Sequence, residues 1–298
     1  MAFILMLENI PITTPNLIPY IVAKTMEIER NGFRLFYDKT GDGPENLLLF
    51  HGFGQDRSVF TPLIGQISSR YTCYSFDLFF HGEDSDTQPA SPISPDQWNA
   101  FLAAFLNQEN IQRFSLAGFS IGARLVVSAI PQFAPRLDSV YLIAPEGIST
   151  NIWYRLATST PPGRYIFHKF IQRPKYFLAA ASGAEKLGLL PRKVGRFAKK
   201  LMDSAPKRKR VYATWMVLSK LRKSRQELVT ALNRHPVRVV IFLGKRDRII
   251  TEKPVLDFVQ RLQNKAEVHV IDSAHITMVR TVSQSFAHVF KAANDTRY

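Results

Sequence analysis

The segment Gly118–Gly122, which reads GFSIG, contains a serine whose sequence context suits nucleophilic chemistry. It follows the apolar run Phe114–Ala117 and precedes residues that favour a helix. A serine on a sharp turn from a strand into a helix projects its hydroxyl as a nucleophile. Glycines two residues before and after it relieve crowding at a strained backbone position. The spacing therefore predicts that Ser120 is a nucleophile.

Two later residues could activate that serine. A serine hydroxyl is a weak nucleophile until a general base removes its proton, and an acid must orient the base. Asp247 and His275 each lie just beyond an apolar run, and parallel strands bring such loops to the edge of a sheet where Ser120 is expected. Asp272 lies nearer to His275 along the chain but too close to reach over easily. We therefore assign the acid to Asp247.

Short apolar runs predict the elements that position these side chains. The six runs are Leu47–Phe50, Thr72–Phe76, Phe114–Ala117, Val140–Ala144, Val237–Leu243 and Val268–Ile271. Helix-length segments separate them, and an antiparallel hairpin across Asn31-Gly32 is expected before them. This alternation is typical of an α/β protein whose mostly parallel sheet carries helices on both faces.

One gap in this pattern, between Ala144 and Val237, is far longer than the others. Prolines punctuate it and its other residues favour helices, so three or four helices joined by short turns are expected. The chain is therefore divided into a core of residues 1–145 and 236–298 and an inserted helical lid, or cap, of residues 146–235.

The excess of positive charge lies in that insertion. The 298 residues include 39 Lys and Arg against 24 Asp and Glu, a net charge of +15. Residues 150–235 hold 20 of the basic and three of the acidic residues, which leaves 19 basic and 21 acidic residues elsewhere. Leu190–Met202 is typical of a basic amphipathic helix. Its apolar stripe can pack on the core with the basic side chains solvated, or the basic face can attract an anionic partner. The charge thus bears on what approaches the insertion.

Two further motifs give the chain a resemblance to a known family. One apolar run ends in His51–Gly54 (HGFG), and Asp77–Ser85 (DLFFHGEDS) is similar to a D-L-P-G-H-G-x-S signature, with two phenylalanines in place of Pro-Gly. With the GFSIG segment and the late aspartate and histidine in this order, the chain resembles the α/β-hydrolase family. The match extends over about residues 27–292, the insertion excepted.

The resemblance implies a catalytic site and a reaction. It implies an oxyanion hole made by the backbone amides of Phe53 and Ile121, and a lid over the triad after the sixth conserved strand. The expected activity is that of a serine hydrolase acting on a carboxylic ester or thioester through an acyl-enzyme. No metal or other cofactor is expected, and the single cysteine, Cys73, permits neither an intramolecular disulfide nor a cysteine-based zinc site.

Four residues are assigned to the substrate pocket: Phe119, Arg124, Trp153 and Tyr154. Apolar side chains near the serine would suit an acyl group. Arg124 has two interpretations. It can pair with an acid such as Asp77 or Glu146, or it can bind a substrate carboxylate, as the similar arginine of the menaquinone-pathway synthase of this fold suggests.

Two other functions stay open at this point. One is cleavage of, or elimination at, a carbon–carbon bond in a carboxylated substrate, and the other is a non-catalytic scaffold that binds through the basic lid. The expected partners are a small molecule with an apolar acyl part and, at the lid, an anionic lipid surface or anionic substrate. Nucleic acid is disfavoured, because the basic run 207–210 has no interleaved aromatic residues.

The expected location is the cytoplasm, with peripheral membrane association if the lid binds lipid. No window approaches the roughly 18 apolar residues of a membrane span. The apolar residues 1–7 lack the basic flank of a secretory signal and lead directly into Glu8.

Overall fold

Eight strands form a single sheet in the part of the chain that the structure describes. The structure is a computed structural model, and it describes residues 24–30, 32–82, 91–148, 152–189, 192–263 and 266–292. The strands are β1 (Lys24–Arg30), β2 (Phe33–Thr40), β3 (Glu45–Phe50), β4 (Tyr71–Phe76), β5 (Phe114–Phe119), β6 (Leu137–Ile143), β7 (Arg238–Gly244) and β8 (Glu267–Ile271). Their order across the sheet is β1-β2-β4-β3-β5-β6-β7-β8.

The pairing of these strands is mostly parallel. β1 pairs with β2 and β2 with β4 in antiparallel register, and the other neighbouring pairs are parallel. The predicted sheet is therefore confirmed, and each of the six apolar runs corresponds to one of the strands β3 to β8. The expected hairpin is present as β1 and β2, although Asn31 in its turn lies outside the described residues.

Helices cover both faces of this sheet. They are α1 (Thr61–Ile67), α2 (Pro95–Gln108), α3 (Ile121–Phe133), α4 (Ile152–Ser159), α5 (Pro161–Gln172), α6 (Pro174–Lys186), α7 (Arg192–Leu201), α8 (Ala205–Val217), α9 (Arg225–Arg234), α10 (Glu252–Val259), α11 (Met278–Ser285) and α12 (Ala287–Lys291). Helices α1, α11 and α12 pack in one apolar layer with Leu47 and Leu49 of β3. Helices α2, α3, α9 and α10 pack in the other with Leu48 and Phe50, because successive side chains of a strand point to opposite faces.

The segment between β6 and β7 contains more helices than the sequence predicts. Instead of three or four, the described residues show α4 to α9, because prolines begin α5, α6 and α8 at their first or second positions. Helix α9 packs on the sheet beside α3. We refer to α4–α8 (Ile152–Val217) as the insertion helices. Within the described ranges, no helix is both long enough and apolar enough to cross a membrane.

The insertion helices have a small apolar core of their own. Phe167, Met202 and Val211 are buried in it, and Trp215 and Phe53 pack against both this cluster and the main core. Phe53 belongs to the turn after β3, so the insertion helices rest on a loop at the carboxyl edge of the sheet. This is the edge at which the candidate catalytic side chains meet.

Candidate active site

Ser120 lies at the sharp turn between β5 and α3, in a strained backbone conformation. Its φ is +51° and its ψ is −118°, values that a residue with a side chain rarely adopts. Its amide donates to the carbonyl of Ile143 (2.9 Å), and its carbonyl accepts from the amides of Ala123 (3.0 Å) and Glu146 (3.1 Å). These three hydrogen bonds hold the turn in place, and the sequence-based expectation of strain at Ser120 is met.

The glycines on either side of Ser120 allow close approaches of the backbone. A Cβ atom at Gly118 would lie 2.6 Å from the Cα of Ala123, so the strand could not fold back into the helix. A Cβ atom at Gly122 would lie 2.2 Å from the carbonyl oxygen of Phe50. Helix α3 therefore starts directly against the end of β3, which only a glycine at position 122 permits.

The structure brings Ser120, His275 and Asp247 into one hydrogen-bonded chain. The Oγ atom of Ser120 is 2.8 Å from Nε2 of His275, and Nδ1 of His275 is 2.6 Å from Oδ2 of Asp247. The other carboxylate oxygen of Asp247 accepts from the amides of Ile249 (2.8 Å) and Ile250 (3.0 Å). With a proton on Nδ1 held by the carboxylate, Nε2 is left to accept the serine proton.

The competing acid, Asp272, lies in a different environment. Its side chain is 73% exposed and pairs with Arg246 at 2.8 Å, whereas the side chain of Asp247 is fully buried. A buried carboxylate orients its partner strongly because water does not compete for it. The geometry therefore favours Asp247 as the residue that orients His275.

Phe119 lies under the imidazole. It is buried, its ring centroid is 5.1 Å from that of His275, and its ring would be 2.6 Å from a Cβ atom at Gly52. The sequence places Phe119 in the substrate pocket. In the structure it instead packs between the histidine and the turn after β3, and so supports the position of both.

The two residues expected to form an oxyanion hole lie on facing backbone segments. Ile121 is the first residue of α3, where the amides have no acceptor within the helix. Phe53 lies in the turn after β3, and the close approach of Gly122 to Phe50 brings this turn next to the start of α3. The amides of Phe53 and Ile121 can serve one oxyanion only if the turn after β3 lies next to the start of α3 in this way.

Two buried histidines fix the turn that carries Phe53. His51 donates from Nδ1 to the carbonyl of Gly52 (2.7 Å) and accepts on Nε2 from the amide of Leu78 (3.0 Å). His81 accepts on Nε2 from the amide of Gly54 (3.0 Å) and donates to a carbonyl of its own turn. Burial lowers the pKa of His51 to about 4 and that of His81 to about 3. Both rings are thus neutral connectors between the two histidine-glycine turns.

Of the two interpretations of Arg124, the structure shows the pairing with an acid, and Tyr154 packs against the same guanidinium. Arg124 is buried, its guanidinium is 2.5 Å from the carboxylate of Glu146, and it stacks on the ring of Tyr154 at 4.0 Å. It also donates to the carbonyl of Leu218 (3.3 Å). Because its charge is already neutralised, Arg124 joins α3 to the insertion rather than lining a pocket. The side chain of Trp153, the fourth residue assigned to the pocket, lies outside the described part of the chain.

Two features of the site have little signal in the sequence. Phe80 has a φ of +65°, a strained value for a residue with a side chain. The similar signature has glycine at this position, so the only signal in the sequence is the departure from Pro-Gly. Arg57 pairs with Asp77 and Asp38 and donates its amide to Asp77 (2.8 Å). No motif or spacing points to Arg57, because one partner lies in β2 and the other follows β4.

Comparisons with known proteins agree with the fold. A model of the alpha/beta hydrolase fold family matches residues 45–279. A thermophilic esterase from Thermogutta terrifontis superposes with a TM-score of 0.65 at 16% identity, covering 90% of this chain and 98% of the esterase. The enol-lactonase from Burkholderia xenovorans LB400 superposes with a TM-score of 0.62 at 17% identity, covering 89% of this chain and 98% of that enzyme.

One curated relative is similar over a shorter stretch. It is the dihydrolipoyllysine-residue acetyltransferase component of the acetoin cleaving system from Cupriavidus necator, which is 28% identical over 122 residues. The alignment covers 41% of this chain and 32% of the relative, so the chain corresponds to only a part of that protein.

Proposed function

The chain belongs to the α/β-hydrolase fold family, and from this premise we propose that it is a serine hydrolase that cleaves a carboxylic ester or thioester through an acyl-enzyme. The observation that carries the proposal is the continuous hydrogen-bonded chain from the Ser120 hydroxyl through His275 to the Asp247 carboxylate. Each atom in that chain has the donor or acceptor role that proton transfer from the serine requires.

Acylation begins when the Oγ atom of Ser120 attacks the carbonyl carbon of the substrate. Nε2 of His275 accepts the serine proton, and Asp247 stabilises the resulting imidazolium. The amides of Phe53 and Ile121 donate to the developing oxyanion, and each such donor is worth about 3 kcal/mol in comparable enzymes. When the intermediate collapses, the bond to the alcohol or thiol breaks and His275 returns the proton to that leaving group.

Deacylation repeats these steps with water as the nucleophile. His275 removes a proton from the water, and the hydroxide adds to the acyl carbon. The second tetrahedral intermediate then releases the carboxylic acid, and Ser120 recovers its proton from His275. No redox step or cofactor is needed for either half of this cycle.

The substrate class is supported by two further observations. The structural neighbours include an esterase and an enol-lactonase, whose names both refer to ester chemistry. The side chain of Phe53 is apolar and packs against the insertion helices. We therefore propose that the insertion helices α4–α8 act as a lid over the apolar side of the site, whereas α9, which the sequence-based bounds 146–235 include, belongs to the core.

The geometry removes the main argument for the alternative activity, which is cleavage of, or elimination at, a carbon–carbon bond in a carboxylated substrate. It requires Arg124 as a clamp for a substrate carboxylate, but Glu146 already occupies that guanidinium at 2.5 Å. Hydrolysis needs no such clamp and uses only the residues that converge on Ser120.

The test is turnover of nitrophenyl esters of increasing acyl length, together with acyl thioesters, by the wild-type chain and by Ser120→Ala. We expect wild-type activity and a loss of about a thousandfold or more in the variant. Ser128→Ala is the matched control, since Ser128 lies in α3 with a buried hydroxyl that has no hydrogen-bond partner among the described residues. It should retain full activity.

Labelling by a fluorophosphonate gives an independent readout. The wild-type chain and Ser128→Ala should both react, and Ser120→Ala should not. Failure of the wild-type chain both to turn over any of these substrates and to be labelled would overturn the proposal.

A further inference from the structure

Exposed apolar side chains are concentrated in the insertion helices. Of the nine large apolar side chains that are exposed among the described residues, seven lie between positions 156 and 189. A globular protein normally covers such side chains or scatters them singly. Their concentration in one segment is therefore the observation from which a partner can be inferred.

The turn after α6 shows this most clearly. Leu187 and Leu189 are 75% and 64% exposed, on either side of Gly188, whose φ is +71°. The turn is closed by a hydrogen bond from the amide of Leu189 to the carbonyl of Ala184 (2.9 Å). In such helix ends the apolar residue after the glycine usually packs back onto the helix. Here the same hydrogen bonds are made, but both leucines point into solvent.

Positive charge surrounds these leucines. Lys186 before the turn and Arg192 after it are exposed. The three acidic residues between positions 150 and 235 each have a basic partner within that segment, namely Glu185 with Lys199, Asp203 with Lys207 and Glu227 with Lys223. The remaining positive charge of the segment is therefore uncompensated from within.

Exposed tyrosines lie on α5 and α6 of the same segment. Tyr165 and Tyr176 are exposed, and the ammonium groups of Lys169 and Lys175 lie 5.2 and 5.4 Å from their ring centroids. Tyrosine beside lysine is common at the boundary between hydrocarbon and water, where the ring body meets lipid and the polar atoms face the headgroups.

We propose that α5, α6 and the turn Leu187–Leu189 form a docking surface for an anionic phospholipid bilayer. Entry of leucine side chains into the hydrocarbon lowers the free energy, and so does the approach of the basic residues to anionic headgroups. A nucleic acid would use the charge but would leave Leu187 and Leu189 in water. The inference does not depend on the proposed hydrolase activity.

The test is flotation of the whole chain with phosphatidylcholine vesicles that either contain or lack phosphatidylglycerol. We expect binding to the vesicles with phosphatidylglycerol and much weaker binding to phosphatidylcholine alone, with the difference decreasing as salt is added. Ser120→Ala should bind these vesicles as strongly as the wild-type chain does, so that membrane binding and catalysis are measured separately.

Two double variants locate the surface. Leu187→Ser with Leu189→Ser, and Lys186→Glu with Arg192→Glu, should each weaken partitioning by about tenfold or more. The controls lie outside the insertion helices: Val270→Ser on β8 changes another exposed apolar residue, and Lys253→Glu with Arg261→Glu near α10 changes another exposed lysine and arginine. They should bind like the wild-type chain.

Three results would overturn the inference. They are equal binding to both kinds of vesicle, an equal loss in the control variants, and retention of the chain on single-stranded DNA with no binding to anionic vesicles. Loss of vesicle binding with retained ester hydrolysis would leave the proposed function standing, and the reverse result would leave the docking surface standing.

Discussion

At the scale of single residues, the environment of each carboxylate separates the two aspartates that the sequence offers as partners of His275. Asp247 is buried, contacts the imidazole at 2.6 Å and receives two backbone amides, whereas Asp272 is exposed and pairs with Arg246. Only a buried carboxylate with its second oxygen already satisfied holds the imidazole in a single orientation.

This contrast gives a paired prediction for hydrolysis. Asp247→Asn keeps the shape of the side chain but no longer selects the tautomer that carries its proton on Nδ1, so kcat should fall by about ten-thousandfold at neutral pH. Asp272→Asn should leave kcat unchanged within about twofold, since surface pairs contribute little. Steady-state kinetics with one ester compares the two, and equal losses would contradict the assignment of the acid.

Arg124 shows what sequence reasoning at this scale can miss. The sequence offered Glu146 as a partner and a substrate carboxylate as the alternative, and the two could not be separated from one chain. The choice depends on α4 and on the turn at Leu218, which pack against the guanidinium from far along the sequence. Long-range packing of this kind leaves no periodic signal.

At the scale of elements, buried strands were predictable because their sequences are continuous apolar runs. Each run from Leu47–Phe50 onward matches a strand to within about three residues at either end. The segment between β6 and β7 was harder, because proline both ends one helix and begins the next. The expectation of three or four helices was therefore too low, since the described residues show six in this segment.

The Arg124–Glu146 pair connects three of these elements and gives the second prediction. It joins α3, which begins at the nucleophile, to the loop after β6 and to the insertion helices. Arg124→Met and Glu146→Gln should each lower the free energy of unfolding by about 3 kcal/mol, because each leaves a buried polar partner uncompensated. The double variant should lose less than the sum of the two.

Urea unfolding of the four chains in this double-mutant cycle measures the coupling. The exposed pair Arg246–Asp272 is the control cycle, with an expected coupling of less than about 1 kcal/mol. An additive result for Arg124 and Glu146 would mean that the pair does not join these elements energetically.

At the scale of the whole molecule, the excess positive charge and the two buried histidines lie in different parts of the chain. The positive excess lies on the insertion, whereas the rest of the chain is nearly balanced and contains the buried His51 and His81. The sequence alone showed the division of charge, since it requires only counting. It could not show that both histidine rings are sealed from water between two turns, because that depends on how β3 and β4 end side by side.

The last prediction follows from that burial and concerns stability against pH. The pKa of His51 is lowered by burial to about 4 in the folded chain, against about 6.5 for an unfolded histidine. Above pH 6.5 neither state binds the proton, so the full stability is present. As the pH falls from 6.5 towards 4, the unfolded chain takes up the proton first, and folding loses up to about 3 kcal/mol for this ring. His81, which has a pKa of about 3, adds to the loss in the same direction.

Urea unfolding at a series of pH values should therefore show a decline that begins near pH 6.5, above the range in which carboxylates are protonated. The exposed His168 provides the control, because His168→Gln should leave the decline unchanged. Nuclear magnetic resonance of the histidine rings checks the cause directly: the rings of His51 and His81 should stay neutral down to about pH 5. A free energy of unfolding that is constant between pH 6.5 and 5 would contradict the prediction, because a buried neutral ring cannot avoid this linkage.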